Sequence, residues 1–385
     1  MPISKIPGLY FDETTEYELV GTGGKIPVII GATGNSAATG YKIDGTQINK
    51  FSGWEEVNRS VANGGIGTDT STNKLLAFLE EFFEEAEVKT PGDIGVPYIY
   101  VIDVGDGTTK TSWTNALTTA KTKPDATVEA YVGAESITSY DLDDFIAGAA
   151  ASIETETQNL NLRVGFATKA GASDADLIAL NPSTGGILNS RMGICEPLKF
   201  GKIVARICTA EYYIEPGYPT YRSVKPGTFL QRTKAQESAL QNAGIIFNRD
   251  ERVDTDTYCR INLATSTAFA KTNRPADALF HSRFIADNLL RQIFKAVYPQ
   301  IKANEVVSNI VKNQTKVDAI IAEEVRAERI LPYNSTTGEG TILSLVESDS
   351  EPYDMELIGQ IQPVNCTVAI NVKVTIRNPA VVATA

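Results

Sequence analysis

A single histidine serves the whole 385-residue chain. Any Ser-His-Asp or Cys-His mechanism, and any histidine-containing metal site, would have to pass through His281. That residue stands in Ala278-Leu279-Phe280-His281-Ser282-Arg283, inside a helical pattern, and reads as a structural or surface residue rather than a base. Cysteine is scarce too. Cys195, Cys208, Cys259 and Cys366 fit no zinc or redox spacing, and so few in so long a chain do not make a disulfide scaffold. They read as reduced, mostly buried small apolar residues. No segment approaches the roughly 20 apolar residues that cross a bilayer, and Met1 to Tyr10 lacks the charged-then-apolar order of a secretory signal. The chain is therefore expected to be made in the cytosol and not to insert in a membrane. Basic runs are missing as well: the formal charge is −12 and the cations are scattered. Without a phosphate-neutralising stripe, nucleic acid is not an expected partner.

What is present is ordinary for a folded protein, with 42% hydrophobic and 21% charged residues. The length allows two or three domains with a sizeable core. Two glycine-rich stretches invite a phosphate-binding reading. In Gly21-Thr22-Gly23-Gly24-Lys25, Leu19 stands where a phosphate loop has its first glycine, and Ile26 where it has a Ser or Thr. The second runs from strand-like Ile26-Pro27-Val28-Ile29-Ile30 into Gly31-Ala32-Thr33-Gly34-Asn35-Ser36-Ala37, where Ala37 replaces the third glycine of a dinucleotide loop and Gly40 interrupts the helix behind it. An α/β enzyme binding a nucleotide or dinucleotide at Gly31 to Gly40 is thus the alternative reading. The favoured one is a strand and a loop, with no cofactor and no catalytic or metal residues. The acidic clusters read as structure: Asp103-Val104-Gly105-Asp106-Gly107 as a turn, and Asp141, Asp143 and Asp144 as a helix start.

Four regions are expected: an extended arm over residues 1–22, an α/β part over 23–190, a part with two long helices over 191–365, and a closing strand and tail over 366–385. In the arm, Leu9, Phe11, Tyr17 and Leu19 share one parity. A polar, glycine-rich excursion follows the first strand as far as about Gly67. Lys74 to Val88 is an amphipathic helix, with Leu75, Leu76, Leu79, Phe82, Phe83 and Ala86 on one face. Its glutamates, Glu80, Glu81, Glu84, Glu85 and Glu87, read as a solvated face. Strands over Tyr98 to Val104, Val128 to Gly133 and Arg163 to Thr168 alternate with helices over Trp113 to Thr122 and Tyr140 to Asn159. That spacing argues for a mixed α/β fold, with sheets layered by helices. Gly201 to Tyr213 fits helix or strand. Thr233 to Asn242 reads as a helix stopped at Gly244, and strands are expected around Ile245 and Tyr258 to Leu263. Pro275 reads as the first position of a long helix that Pro299 ends or kinks, and a second helix runs from Glu305 to about Ile330. Finally Val368, Ile370, Val372, Val374 and Ile376 alternate with polar or small residues, a strand with one buried face.

In this order the features resemble the contractile tail sheath proteins. The residues that carry the resemblance are Pro7-Gly8-Leu9-Tyr10 with Glu13, Val28-Ile29-Ile30-Gly31, Phe51-Ser52-Gly53-Trp54-Glu55-Glu56-Val57 with Gly64-Gly65, the helix holding Leu79, Phe82 and Phe83, and the strand Tyr98-Ile99-Tyr100-Val101-Ile102. Further on, Leu240-Gln241-Asn242-Ala243-Gly244-Ile245-Ile246 and Cys259-Arg260-Ile261-Asn262-Leu263-Ala264-Thr265 match later segments, although the Trp-Gly-Ala-Arg-Thr stretch of the family is replaced by Ile261-Asn262-Leu263-Ala264-Thr265. The resemblance implies a sheath-like core built from N- and C-terminal parts, with extended terminal arms. It implies a homopolymer of stacked rings around an inner tail tube protein, with baseplate and tail terminator proteins as further partners, made in the host cytoplasm and assembled into a virion tail or phage-tail-like injection particle. Another virion component, tail tube or baseplate, is the structural alternative. The implied subunit-interface residues are Pro7, Gly8, Leu9, Tyr10, Phe11, Tyr17 and Leu19 at one end, and Val368, Ile370, Val372, Val374 and Ile376 at the other. Lys312, Lys316, Arg326 and Arg329 on the second long helix are candidates to face the tube.

Overall fold

The structure, a computed structural model, describes residues 25–34, 42–62, 65–66, 73–87, 95–138, 141–158, 161–181, 187–217, 224–225, 227–253, 256–270, 278–301, 306–347, 355–364 and 370–376. Through the first half run β1 (Pro27–Gly31), β2 (Ile48–Phe51), α1 (Trp54–Ala62), α2 (Lys74–Ala86), β3 (Ile99–Asp103), α3 (Lys110–Ala120), β4 (Val128–Val132), α4 (Leu142–Gln158), β5 (Val164–Ala167) and α5 (Asp174–Leu180). The second half adds β6 (Met192–Cys195), α6 (Phe200–Thr209), α7 (Lys234–Asn242), β7 (Ile245–Ile246), β8 (Asn248–Val253), β9 (Asp256–Ile261), α8 (Phe280–Ile301), α9 (Val306–Arg326), β10 (Ile342–Glu347), β11 (Met355–Ile361) and β12 (Ile370–Ile376).

Seven strands form one sheet in the order β2-β3-β1-β4-β5-β6-β7. All its pairings are parallel except that of β2 with β3. Parallel strands are covered on both faces, and the side chains of β1 show how. Ile29 points into a core with Leu75, Leu79 and Phe82 of α2 and Ile203 and Val204 of α6. Its neighbours Val28 and Ile30 point the other way, to Trp113 of α3 and Phe145 and Ile146 of α4. A third core joins α8 and α9 to the separate sheet β10-β11-β12 through Leu289, Ile293, Val297, Val317, Leu343, Leu345 and Leu357. The division expected between residues 190 and 191 falls inside the large sheet, because β6 and β7 add onto β5.

Several expectations are corrected. The polar excursion before Gly67 contains an edge strand, β2, and a helix, α1. The segment from Gly201 is a helix, α6, with every residue buried. It lies against α2 and covers part of the glutamate face: Glu85 is 0% exposed beside Arg206 at 3.5 Å and Glu81 meets Lys199 at 3.3 Å, while Glu80, Glu84 and Glu87 are exposed, Glu84 also meeting Lys202 at 2.7 Å. Gly201 permits this approach, since a Cβ there would fall within contact of the Phe78 carbonyl oxygen and 2.7 Å from Glu81 Cβ. The first long helix, α8, begins at Phe280, and Pro275 lies outside the described residues. It continues two residues past Pro299, to Ile301. Near the helix end a proline removes a bond that fraying already weakens.

Candidate assembly surfaces

In an open α/β sheet, ligands sit at the carboxyl ends of the strands where the strand order reverses. Here that point is the end of β1, between β3 and β4. It is filled. A Cβ on Gly31 would stand 2.8 Å from Leu75 Cδ1, one on Gly107 would stand 2.6 Å from Ala32 Cβ, and Lys74 packs its stem against Gly133. The amides that a phosphate would need at the start of α2 are engaged: Leu75 N donates to Ala32 O at 3.1 Å and Leu76 N to Asn73 Oδ1 at 2.8 Å. Asp103, expected as a turn residue, accepts from Gly105 N at 2.8 Å and from Thr33 Oγ1 at 3.0 Å, and so folds the turn over the crevice. Burial pushes its carboxyl up to about 7, against the pull of those two partners. Of the alternative loop Gly31 to Gly40, residues 35–40 lie outside the described residues. No group of three or more metal-ligating side chains occurs among the described residues.

The arm residues Pro7, Gly8, Leu9, Tyr10, Phe11, Tyr17 and Leu19 all lie outside the described residues. The first described residue is Lys25, three residues beyond the expected arm. Its backbone N donates to Cys208 O at 3.1 Å, and its ammonium, fully inside, donates to Ile207 O at 2.9 Å and also to Ala210 O. Those carbonyls are the C-terminal end of α6, whose partial negative charge favours a cation. The ammonium also lies 4.5 Å from the Phe284 ring centroid. Burial pulls its pKa down to about 8, opposed by Cys208, Glu215 and Glu211. Glu215 accepts from Ala264 N at 2.8 Å and from Gly217 N at 3.3 Å, and burial pushes it up to about 7. His281 closes the group, with Nε2 3.0 Å from Tyr213 O, its pKa lowered by burial and then by Lys25. The lysine of the stretch that imitates a phosphate loop is thus a cap on the C-terminal end of α6.

At the other end, β12 pairs antiparallel with β11, setting Ile370, Val372, Val374 and Ile376 opposite Ile361, Gly359, Leu357 and Met355. Val368 lies outside the described residues. Leu343, Leu345, Leu357 and Ile361 bury one face of the small sheet against α8 and α9. The opposite face shows Ile342, Val346 and Ile358 at 39%, 36% and 43% exposure. Gly359 makes β11 possible, because a Cβ there would collide with the Ile342 carbonyl and stand 2.9 Å from Leu343 Cα. Of the four cations picked out near α9, Lys312 and Arg326 are exposed. Lys316 Nζ donates to Ala296 O at 3.1 Å on α8. Arg329, beyond the helix end, donates to Glu324 Oε1 at 3.2 Å and to the Tyr212 hydroxyl, and stacks on Tyr212 and Tyr213.

Sequence reasoning gave no role to the groups that bind α8 to the large sheet. Arg191, just before β6, holds Asp287 with two bonds of 2.7 Å and also donates to Arg163 O at 3.0 Å. Arg163 pairs with Glu129 at 2.8 Å, and Arg291 donates to Leu162 O. Nothing in the local sequence marks these residues, because the partners are far apart along the chain.

Comparison with solved structures places this architecture. The sheath tail protein of Listeria innocua superposes with a TM-score of 0.63 at 9% identity, over 94% of this chain and 96% of that one. The fold is that of a tail sheath protein. The sheath tail protein of Desulfitobacterium hafniense shares the sheath fold with a TM-score of 0.62 at 10% identity, over 96% of this chain and 100% of that one. The anti-feeding prophage helical sheath in its contracted state gives 0.59 at 12% identity, over 96% and 98%. No protein-family model matches the sequence, and no curated protein matches it either. At such identity the likeness is one of sheath fold, spread over nearly the whole of each chain.

Proposed function

We propose that this chain is the repeating, non-enzymatic subunit of a contractile sheath, polymerising around an inner tail tube and shortening to drive that tube through a target envelope. The observation that carries the reading is the end-to-end correspondence with sheath proteins, 94% of this chain against 96% of the Listeria protein. A fold shared over a single domain would leave room for another use; a fold shared over nearly the whole of both chains leaves little. The filled crevice at the end of β1 supports the non-enzymatic half of the proposal.

Subunits of such a sheath join by exchanging strands. Twenty-four residues precede Lys25, and fully extended they reach about 80 Å, far enough to cross to a neighbour. Their root is held by the Lys25 bonds at α6, so tension on the arm would be delivered to the body of the subunit. The small sheet offers the matching element, since an outer edge carries backbone groups that another strand can pair with. In the particle, baseplate and terminator proteins would cap the ends of the polymer. Contraction would draw on a lattice with two packings of the same rigid subunits, needing no nucleotide.

Electron microscopy of the purified protein tests this directly: rings or hollow tubes are expected, alone or with a cognate tube. A protein that stays monomeric even with its tube partner overturns the reading. Deleting Met1 to Thr15, or Thr367 to Ala385, should impair tube formation more than folding of the main body, although the second deletion also removes β12 and bares the edge of β11. Normal contractile tubes from either truncation would exclude that end from strand exchange.

A further inference from the structure

The two edges of the small sheet are not equivalent. β10 and β12 are its outer strands, but the edge of β10 is already occupied by a side chain. Gln314, on α9, accepts from Leu345 N at 2.8 Å through Oε1 and donates to Leu343 O at 3.0 Å through Nε2. In a parallel ladder one residue of the neighbouring strand donates to the carbonyl of one residue and accepts from the N–H two residues on. The Gln314 amide reproduces that pattern, so it stands where one residue of an added strand would stand. Asp318, one turn along α9, accepts from the same Nε2 at 2.7 Å. This fixes the amide: turned over, it would present its oxygen to both the Asp318 carboxylate and the Leu343 carbonyl. The chain before the strand closes the rest, with Thr341 N donating to Leu331 O at 2.8 Å and Pro332 bridging to Thr341.

We propose that Gln314 is an edge cap that makes strand addition to this sheet one-sided. A strand arriving at β10 must break the Gln314 bonds to Leu343 and Leu345 and the Thr341 bond before it gains its own. On the β12 side, no described residue pairs with the outer edge. The strand added there is the N-terminal segment of a second copy of this chain. The inference rests on the sheath reading and deepens it, because it states which edge the arm takes. A polymer whose subunits could each accept strands at both edges would branch; one closed edge makes the mesh directional.

The test uses the full chain with Cys366→Ser, so that an introduced surface cysteine reports alone. Gln314→Ala and Gln314→Glu are compared with the parent, each with and without Ser344→Cys on β10. In the unassembled subunit the Leu345 amide should exchange with solvent on the order of tenfold faster in Gln314→Ala, as loss of one net hydrogen bond predicts. Gln314→Glu, which sets a carboxylate oxygen against both the Asp318 carboxylate and the Leu343 carbonyl, should be driven off the edge and lose the Leu345 protection as Gln314→Ala does. With the edge open, Gln314→Ala subunits should pair through β10 and crosslink at residue 344, while the parent does not. Equal crosslinking with Gln314 present, or none in either protein, overturns the proposal. These readings are made on the subunit, so they stand whether or not tubes form. Should the parent build tubes and Gln314→Ala build the same tubes with unchanged Leu345 exchange, the cap is refuted and the sheath reading survives.

Discussion

Replacing Arg191 by methionine should cost about 3–5 kcal/mol near neutral pH, the range for breaking a buried, hydrogen-bonded ion pair from one side. The geometry places it there. Arg191 and Asp287 are 5% and 2% exposed, and two bonds of 2.7 Å join them. Methionine fills similar volume, so the loss is mainly electrostatic: Asp287 is left charged inside α8. Its carboxyl is subject to opposed influences, burial pushing the pKa up and Arg191 above all pulling it below the usual range. In the parent the folded state therefore prefers the ionised form, and that stability is lost only as pH falls through the lowered value. With Arg191 gone, burial dominates and the folded pKa rises above the unfolded one. The sign reverses: the variant loses stability as pH rises from the ordinary carboxylate range. The gap between parent and variant should accordingly be widest near neutrality and narrow on acidification. Urea denaturation of the unassembled subunit, followed by circular dichroism over a pH series, measures both curves. Arg191→Met with Asp287→Leu should recover part of the loss, because an apolar pair needs no partner. The reasoning fails if the single variant loses under about 1 kcal/mol, if the gap is flat with pH, or if the double variant equals the sum of its parts.

Asp103 offers a second pH signature. Its folded pKa of about 7 stands above the ordinary 3.8 of an aspartate, so stability should fall as pH rises between those values. Asp103→Asn keeps an acceptor for Gly105 and Thr33 and should be more stable than the parent above pH 7, by at most about 4 kcal/mol, with the difference gone in acid; an unchanged pH profile in thermal melts would count against a buried, charged Asp103. Gly201→Ala should separate α6 from α2 and cost about 1–3 kcal/mol as overpacking does, read from chemical denaturation, whereas alanine at the open position Gly171, which has no atom within 4 Å of its Cβ, meets only backbone strain.

The elements with a strong period were legible from residues alone. α2 shows its apolar stripe and begins at Lys74 as expected, α4 follows its acidic first turn, and Thr233 caps α7 with Gln236 in a reciprocal box. What stayed hidden has a common cause. β2 has four residues, three of them half-buried or exposed, too few to display alternation. α6 is buried all round, so no period distinguishes it from a strand. Glu85 looks like any other glutamate of an acidic run and is buried only because Arg206 arrives from another helix. Gln314 likewise reads as a polar residue on an amphipathic helix, and its meaning depends on Leu343 and Leu345, which α9 meets only after folding. Sequence pattern reports the face a residue occupies; it does not report what a distant element brings to that face. The resemblance to sheath proteins survived because it rested on the order of many elements and not on one motif.

Open α/β sheets of this kind bind nucleotides at their switch point in other proteins. A nucleotide site needs an open switch point, mobile loops and unengaged amides at a helix start; this chain fills the switch point with Leu75, Ala32 and the Lys74 stem and caps the helix with Asn73. Its buried ion pairs fall between elements that would otherwise slide: Glu85 with Arg206 between α2 and α6, and Asp287 with Arg191 between α8 and the sheet. Such pairs add little net stability over an apolar contact, yet breaking one is costly, so they penalise relative motion steeply. A force applied at Lys25 would pass along the chain into β1, two residues on, and through the Lys25 bonds into α6. In a polymer that shortens by moving whole subunits, stiffness of this kind confines the movement to the connections between copies. For the proposed sheath subunit, the position of the open strand edge, and the side chain that closes the other one, would then matter more than any cavity.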